Sequence, residues 1–96
     1  MVKAKQVLQT PTFKKAVKKL KPNQKRYLDN AIKKLVQEPE LGELKKGDLA
    51  FLRVYKFKMV KQLTLLGYSF ERKSLVLALI VLGSHENFYR DIKRQK

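Results

Sequence analysis

The spacing of hydrophobic residues changes about half-way along this chain, and the change predicts a helical half followed by a β-rich half. Between Phe13 and Val36, apolar residues recur every three or four positions, the spacing of helices that bury one face. From Ala50 onward, apolar residues alternate with polar ones or form short unbroken runs, which is typical of strands. The pattern therefore predicts an α+β protein.

The helical half is expected to contain a short strand and two helices. Val2–Gln9 is compatible with a first strand, and Thr10-Pro11 is a good helix start, because threonine caps free amides and proline suits the first turn. This first helix is interrupted at Lys21–Asn23, and a longer second helix follows directly. The second helix should end at about Glu38, since the residue before Pro39 is pushed out of helical geometry.

The β-rich half predicts three consecutive strands, Ala50–Lys58, Lys61–Phe70 and Leu75–Leu82, with Gly83 ending the last one. Short turns join them, so consecutive strands must be antiparallel neighbours. A short helix is expected over Glu86–Arg94. The predicted architecture is a single domain over residues 1–96, of order β-α-α-β-β-β-α. Its helical pair packs on one face of a twisted antiparallel sheet and leaves the other face partly open.

Charge is distributed unevenly along the chain. It carries 23 lysines and arginines against 8 aspartates and glutamates, a net charge of +15. Residues 1–37 hold 11 basic and 1 acidic residue, residues 38–49 hold 2 and 4, and residues 50–96 hold 10 and 3. So strong a self-repulsion predicts a polyanion or an acidic partner that neutralises it.

Composition also narrows the chemistry and the location. The chain has no cysteine and one histidine, which excludes disulfides and thiolate metal sites and makes a metal or other cofactor unexpected. No apolar run is long enough to cross a membrane and no secretory leader is visible. We therefore expect a cytoplasmic protein without a membrane partner.

Candidate chemistry lies after the last predicted strand and along the first long one. Beyond Gly83 come the single histidine, His85, and the aromatic pair Phe88 and Tyr89. Histidine titrates near neutral pH, so its delivery at a strand tip predicts catalysis or recognition; the alternative is an ordinary surface residue. In the strand Ala50–Lys58, alternation sets Arg53 on the opposite face from Lys56 and Lys58. One groove cannot use cations from both faces of a strand unless a bulge intervenes.

The chain resembles a known family. The element order, the LRVYKFK strand and the closing GSHENFYRD are similar to the RelE/ParE superfamily of bacterial toxins from type II toxin–antitoxin operons, over residues 3–94. The ending resembles that of YafQ-like members, in which a histidine after the last strand takes part in cleaving mRNA. The resemblance implies a toxin that enters the ribosomal A site and cuts mRNA without metal, and an acidic antitoxin that blocks its groove.

The resemblance also implies roles for single residues. Attack of a 2′-hydroxyl on the adjacent phosphate needs a base, cations for the phosphorane, an acid for the leaving oxygen and a surface that holds the nucleotide in line. Whether His85 or a lysine accepts the first proton stays open. Lys61 stands where RelE-like members carry an arginine. The expected catalytic residues are His85, Arg53, Lys61 and Tyr89, and the expected RNA-binding residues are Lys56, Lys58, Phe88 and Arg90.

Two other functions fit the same sequence. ParE-like members share the fold but inhibit DNA gyrase and lack these nuclease residues. A non-catalytic basic module would only bind nucleic acid, with an affinity that falls steeply as salt rises. Codon preference, oligomeric state and antitoxin family are not determined by the sequence.

Overall fold

The computed structural model describes residues 2–84, apart from the side chain of Leu49. In chain order, these residues form β1 (Gln6–Gln9), α1 (Pro11–Lys18), α2 (Pro22–Gln37), β2 (Glu43–Leu44), a 3-10 turn (Gly47–Leu49), β3 (Arg53–Met59), β4 (Gln62–Glu71) and β5 (Val76–Ser84). The predicted α+β class is confirmed, with both helices between the first strand and the others. The helix predicted over Glu86–Arg94 lies outside the described residues.

The five strands form one sheet in the order β1-β5-β4-β3-β2. The predicted antiparallel meander of β3, β4 and β5 is confirmed. At one edge, however, β1 pairs with β5 in parallel, so the sheet is mixed. At the other edge, β2 is a strand of two residues in the segment between α2 and β3, where no strand was predicted. Both edges depend on pairing between distant segments, which hydrophobic spacing does not encode.

Both helices begin at proline, which was predicted for α1 at Pro11, whereas α2 begins at Pro22, inside the segment expected to interrupt the helices. The Thr10 hydroxyl accepts a hydrogen bond from the Phe13 amide at 3.1 Å and donates one to the Ile80 carbonyl at 2.6 Å, which fastens the start of α1 to β5. At the start of α2, the Gln24 side chain accepts from the Lys21 amide at 2.8 Å. Each capped start is therefore held by a local bond, and α1 also by a tertiary one.

The main core lies between the helices and one face of the sheet. From the helices it takes Phe13, Leu28 and Leu35, which meet buried residues of β4 and β5 such as Leu66 and Leu79. A smaller cluster occupies the opposite face and consists of Leu52, Val54, Leu65 and Val81. The face predicted to be partly open is thus buried along this cluster, and the exposed part lies further along β3.

Three strand ends differ from the predicted ones by two residues or more. β1 begins at Gln6 instead of Val2, because the Ala4 amide is bonded to the Val36 carbonyl of α2 at 2.9 Å and not to the sheet. β3 begins at Arg53, three residues after the predicted start. β5 continues through Gly83 to Ser84, where it still pairs with Thr64, so glycine does not end this strand.

Candidate nucleic-acid interface

The cations of β3 lie on two different faces of the sheet. β3 pairs with β4 in unbroken register from Arg53 to Met59, so no bulge interrupts the alternation of its side chains. The register shift in the sheet lies between β4 and β5, at Gly67 and Tyr68. Arg53 therefore faces the helical side, and Lys56 and Lys58 face the other side, as the sequence predicts.

Arg53 is occupied by the loop that follows α2. Its guanidinium donates to the Gly42 carbonyl at 2.8 Å and to the Glu40 carbonyl at 3.2 Å, and it lies 3.6 Å from the Glu40 carboxylate. Arg72 approaches the same carboxylate at 4.0 Å. The structure thus places this candidate phosphate ligand in a contact that fixes a loop.

Tyr68 of β4 completes this loop contact from the sheet. Its side chain is fully buried, its hydroxyl donates to the Pro39 carbonyl at 2.7 Å, and it accepts from the Gly42 amide at 2.8 Å. A Cβ atom at Gly42 would lie 2.7 Å from that hydroxyl, so the loop needs glycine there. Burial raises the pKa of the Tyr68 phenol above its ordinary value of 10.0, against the opposing effects of the Gly42 amide and the Arg53 charge.

Sequence reasoning missed the role of Tyr68. In the sequence it is one more aromatic residue of an alternating strand, and its partners lie 26 and 29 positions away. A tyrosine next to the apolar run Leu65-Leu66 of a strand is the one available signal, since a buried phenol usually needs a hydrogen-bond partner. That signal does not identify the partner.

Lys56 and Lys58 have a different environment. Both side chains are exposed, and no carboxylate among residues 2–84 lies within salt-bridge distance of either lysine. Lys56 pairs with Leu65 of β4, which in turn pairs with Gly83 of β5. Because neighbouring strands are about 4.8 Å apart, this row sets Lys56 roughly 10 Å from the end of β5.

Lys61 lies in the turn between β3 and β4, outside both strands. The turn consists of Val60 and Lys61, and Val60 has φ of 62°. A hollow of about 420 Å³ separates this turn from the start of α2, and Lys21 and Lys61 are among its lining residues. Lys61 is therefore close to the exposed lysine end of β3 and remote from the Arg53 contact.

The structure brings together some of the predicted site residues. Lys56, Lys58 and Lys61 share the end of the β3–β4 hairpin, next to the last residues of β5. Arg53 lies on the opposite face of β3 from the first two lysines and at the opposite end of the strand from Lys61. The other predicted site residues are outside the described part of the chain: His85, Phe88, Tyr89 and Arg90. Their roles remain predictions.

The described residues contain neither a group of metal ligands nor a membrane-spanning helix. Between residues 2 and 84, no three histidine, cysteine or acidic side chains come close enough together to hold a metal ion. No helix in that range combines the length and the apolar character needed to span a membrane.

The chain combines a helical pair on one side of a five-stranded sheet with exposed lysines at one end of β3. The profile of the family described as ParE-like toxin of type II bacterial toxin-antitoxin system matches residues 7–93. The chain belongs to this family, which confirms the resemblance to the RelE/ParE superfamily. No curated protein sequence matches the chain.

Several solved structures share the fold. A free mutant of the Escherichia coli toxin RelE is 16% identical, covers 98% of each chain and has a TM-score of 0.70. In the RelBE2 toxin–antitoxin complex of Mycobacterium tuberculosis, the matching chain is 20% identical over 88% of this chain and 94% of that one, with a TM-score of 0.68. In the archaeal RelE–RelB complex of Pyrococcus horikoshii, the matching chain is 20% identical over 82% of this chain and 92% of that one, with a TM-score of 0.59. At such identities the likeness establishes the fold alone.

Proposed function

We propose that this toxin is a ribosome-dependent endoribonuclease that cuts mRNA and stops translation. One observation carries the proposal: the row from Lys56 through Leu65 to Gly83 sets a lysine without a carboxylate partner among residues 2–84 beside the strand end that leads to His85. A proton-transfer group and cations that converge on one phosphate are what metal-independent RNA cleavage needs. The resemblance of the GSHENFYRD ending to YafQ-like members supports the same activity.

In the proposed reaction, a 2′-oxygen attacks the adjacent phosphorus and the bond to the 5′-oxygen breaks. The proton of the 2′-hydroxyl passes to a base, either His85 or a lysine, and the leaving 5′-oxygen takes up a proton. The products are a cyclic phosphate and a free 5′-hydroxyl. Lys56 and Lys58 stabilise the charge that builds on the phosphorane, and Tyr89 or Phe88 stacks on the nucleobase.

Arg53 is a weaker candidate for this phosphate contact than it was on sequence grounds. Its guanidinium already bonds two loop carbonyls on the opposite face of the sheet. Lys61 and Arg90 are the alternative cations, and Lys61 is on the same hairpin as Lys58.

We further propose that an acidic antitoxin is the regulatory partner. Structures of similar fold include complexes of RelE-type toxins with RelB antitoxins. The net charge of +15 supports a partner of opposite charge, whose extended or helical segment covers the lysine face. Ribosomes and mRNA place the activity in the cytoplasm.

Controlled expression followed by mapping of mRNA ends tests the activity. We expect cuts inside translated codons that leave 5′-hydroxyl ends, and we expect a His85→Ala variant of equal abundance to lose them. Growth arrest with intact mRNA would contradict the proposal.

A second candidate is a ParE-like inhibitor of DNA gyrase, which the description of the matched family favours. It predicts DNA-damage signalling with intact mRNA. It also predicts that His85→Ala stays as toxic as the wild-type chain, so the same pair of strains separates the two functions.

A further inference from the structure

The turn between β3 and β4 holds a residue in an unfavourable conformation. Val60 is the first of its two residues and has φ of 62°, in the left-handed region. Two-residue hairpin turns normally place glycine, asparagine or aspartate at such a position, because a β-branched side chain clashes with its own backbone there. The valine is therefore unexpected on grounds of stability.

A second residue of this kind has a structural explanation. Leu75 has φ of 58°, and its carbonyl accepts hydrogen bonds from the amides of Lys5 at 2.8 Å and Gln6 at 3.3 Å. Its conformation thus attaches β1 to the sheet. Val60, in contrast, is 42% exposed, borders the hollow beside the start of α2 and belongs to neither core cluster of the described residues. Strained residues that packing does not explain are commonly functional.

The surroundings of Val60 indicate the chemistry of a partner. Leu63, also exposed, pairs with Lys58 across the hairpin, and Lys61 follows Val60 directly. Residues 50–70 contain four cationic residues and no acidic one. An apolar tip between cations suits single-stranded nucleic acid, in which apolar base faces alternate with anionic phosphates. A hairpin tip without acidic residues, on a chain of net charge +15, also disfavours a second copy of this chain as the partner.

We propose that Val60 is a base-contacting residue: it packs against an unstacked base of the bound mRNA while Lys61 holds a flanking phosphate. This inference rests on the proposed function and adds a residue that meets the substrate away from the reacting atoms. A residue that packs against a base influences which nucleotides fit. Val60 therefore contributes to the sequence preference of cleavage.

The test compares three variants in ribosome-dependent mRNA cleavage with purified components. Val60→Gly relieves the strain and removes the apolar contact, whereas Val60→Ile keeps the strain and the contact. Leu44→Asn removes a similarly exposed apolar side chain from β2, roughly 20 Å away along β3. For each variant, Tm, kcat, KM and the sequences at the cut sites are measured.

We expect Val60→Gly to raise Tm by about 2–5 °C and to lower kcat/KM by about 5- to 10-fold, with an altered set of cut sites. Leu44→Asn should match the wild-type chain in cleavage and cut sites, and Val60→Ile should retain more of the wild-type kcat/KM than Val60→Gly does. A gain in stability with a loss of activity is the result that a merely structural valine cannot produce.

Other results overturn the inference in distinguishable ways. Unchanged cleavage by Val60→Gly would remove the base contact and leave the proposed function intact. Weaker antitoxin binding at unchanged cleavage would assign the tip to a protein partner instead. A fall in both Tm and cleavage, or an equal loss in Leu44→Asn, would make the effect structural. A wild-type chain that leaves mRNA intact would overturn both the inference and the proposed function.

Discussion

The two ends of β3 use their cations differently. At the start of the strand, Arg53 bonds two carbonyls and faces the Glu40 carboxylate, so its charge is neutralised within the chain. Roughly 16 Å further on, Lys58 faces solvent without a carboxylate partner among residues 2–84. A cation that the fold already neutralises contributes to stability, whereas a cation left unpaired is available to an external anion.

The largest expected effect concerns the lysine end. We expect the double substitution Lys56→Gln, Lys58→Gln to lower mRNA cleavage by about 100-fold, because the phosphorane loses the charges that stabilise it. Tm should change by less than about 2 °C, since exposed side chains contribute little to stability. Cleavage assays and thermal unfolding of the purified variant measure both quantities.

Arg53→Gln is the matched control for that double variant. It should lower the free energy of unfolding by about 1–2 kcal/mol through the lost loop bonds, and leave cleavage per folded molecule within about threefold of wild type. If Arg53→Gln abolished cleavage at unchanged stability, the contrast between the two ends of β3 would be wrong and the arginine would be a substrate ligand.

The next effect concerns the loop that Arg53 helps to hold. Tyr68→Phe leaves the Pro39 carbonyl and the Gly42 amide without their buried partner, and we expect a loss of about 1–3 kcal/mol in the free energy of unfolding. Urea denaturation measures it. The control is Tyr55→Phe, at a partly buried tyrosine that stacks on Phe57. Equal losses in both variants would show that the loop bonds are not the cause.

The smallest expected effect is a dependence on pH. The pKa of Tyr68 is raised in the folded protein, so its contribution to stability is complete below the unfolded value of 10.0 and declines as pH rises toward the folded value. The free energy of unfolding should therefore fall more steeply above about pH 10 in wild type than in Tyr68→Phe. Parallel curves from about pH 8 to about pH 11 would contradict the assignment.

The local features of the fold could be predicted because each depends on neighbouring residues. Thr10-Pro11 and Pro22 mark the helix starts by their own backbone chemistry, and the alternation of β3 separates Arg53 from Lys56 through the period of two. Pattern alone was insufficient where two neighbours in the sequence were both plausible. In α2, Leu28 is 2% exposed and Tyr27 is 46% exposed, a choice that depends on how the helix is rotated against the sheet.

By itself, then, the sequence determined the element types, the meander of the long strands, the separation of cations between two faces and the charge of +15. Only the tertiary structure decided that β1 joins β5 in parallel, that Arg53 and Tyr68 hold the loop after α2, and that Val60 is strained. The physical reason is distance along the chain. Helix starts and strand faces follow from covalent neighbours, whereas Tyr68 meets a carbonyl 29 residues away, and no local pattern specifies such a partner.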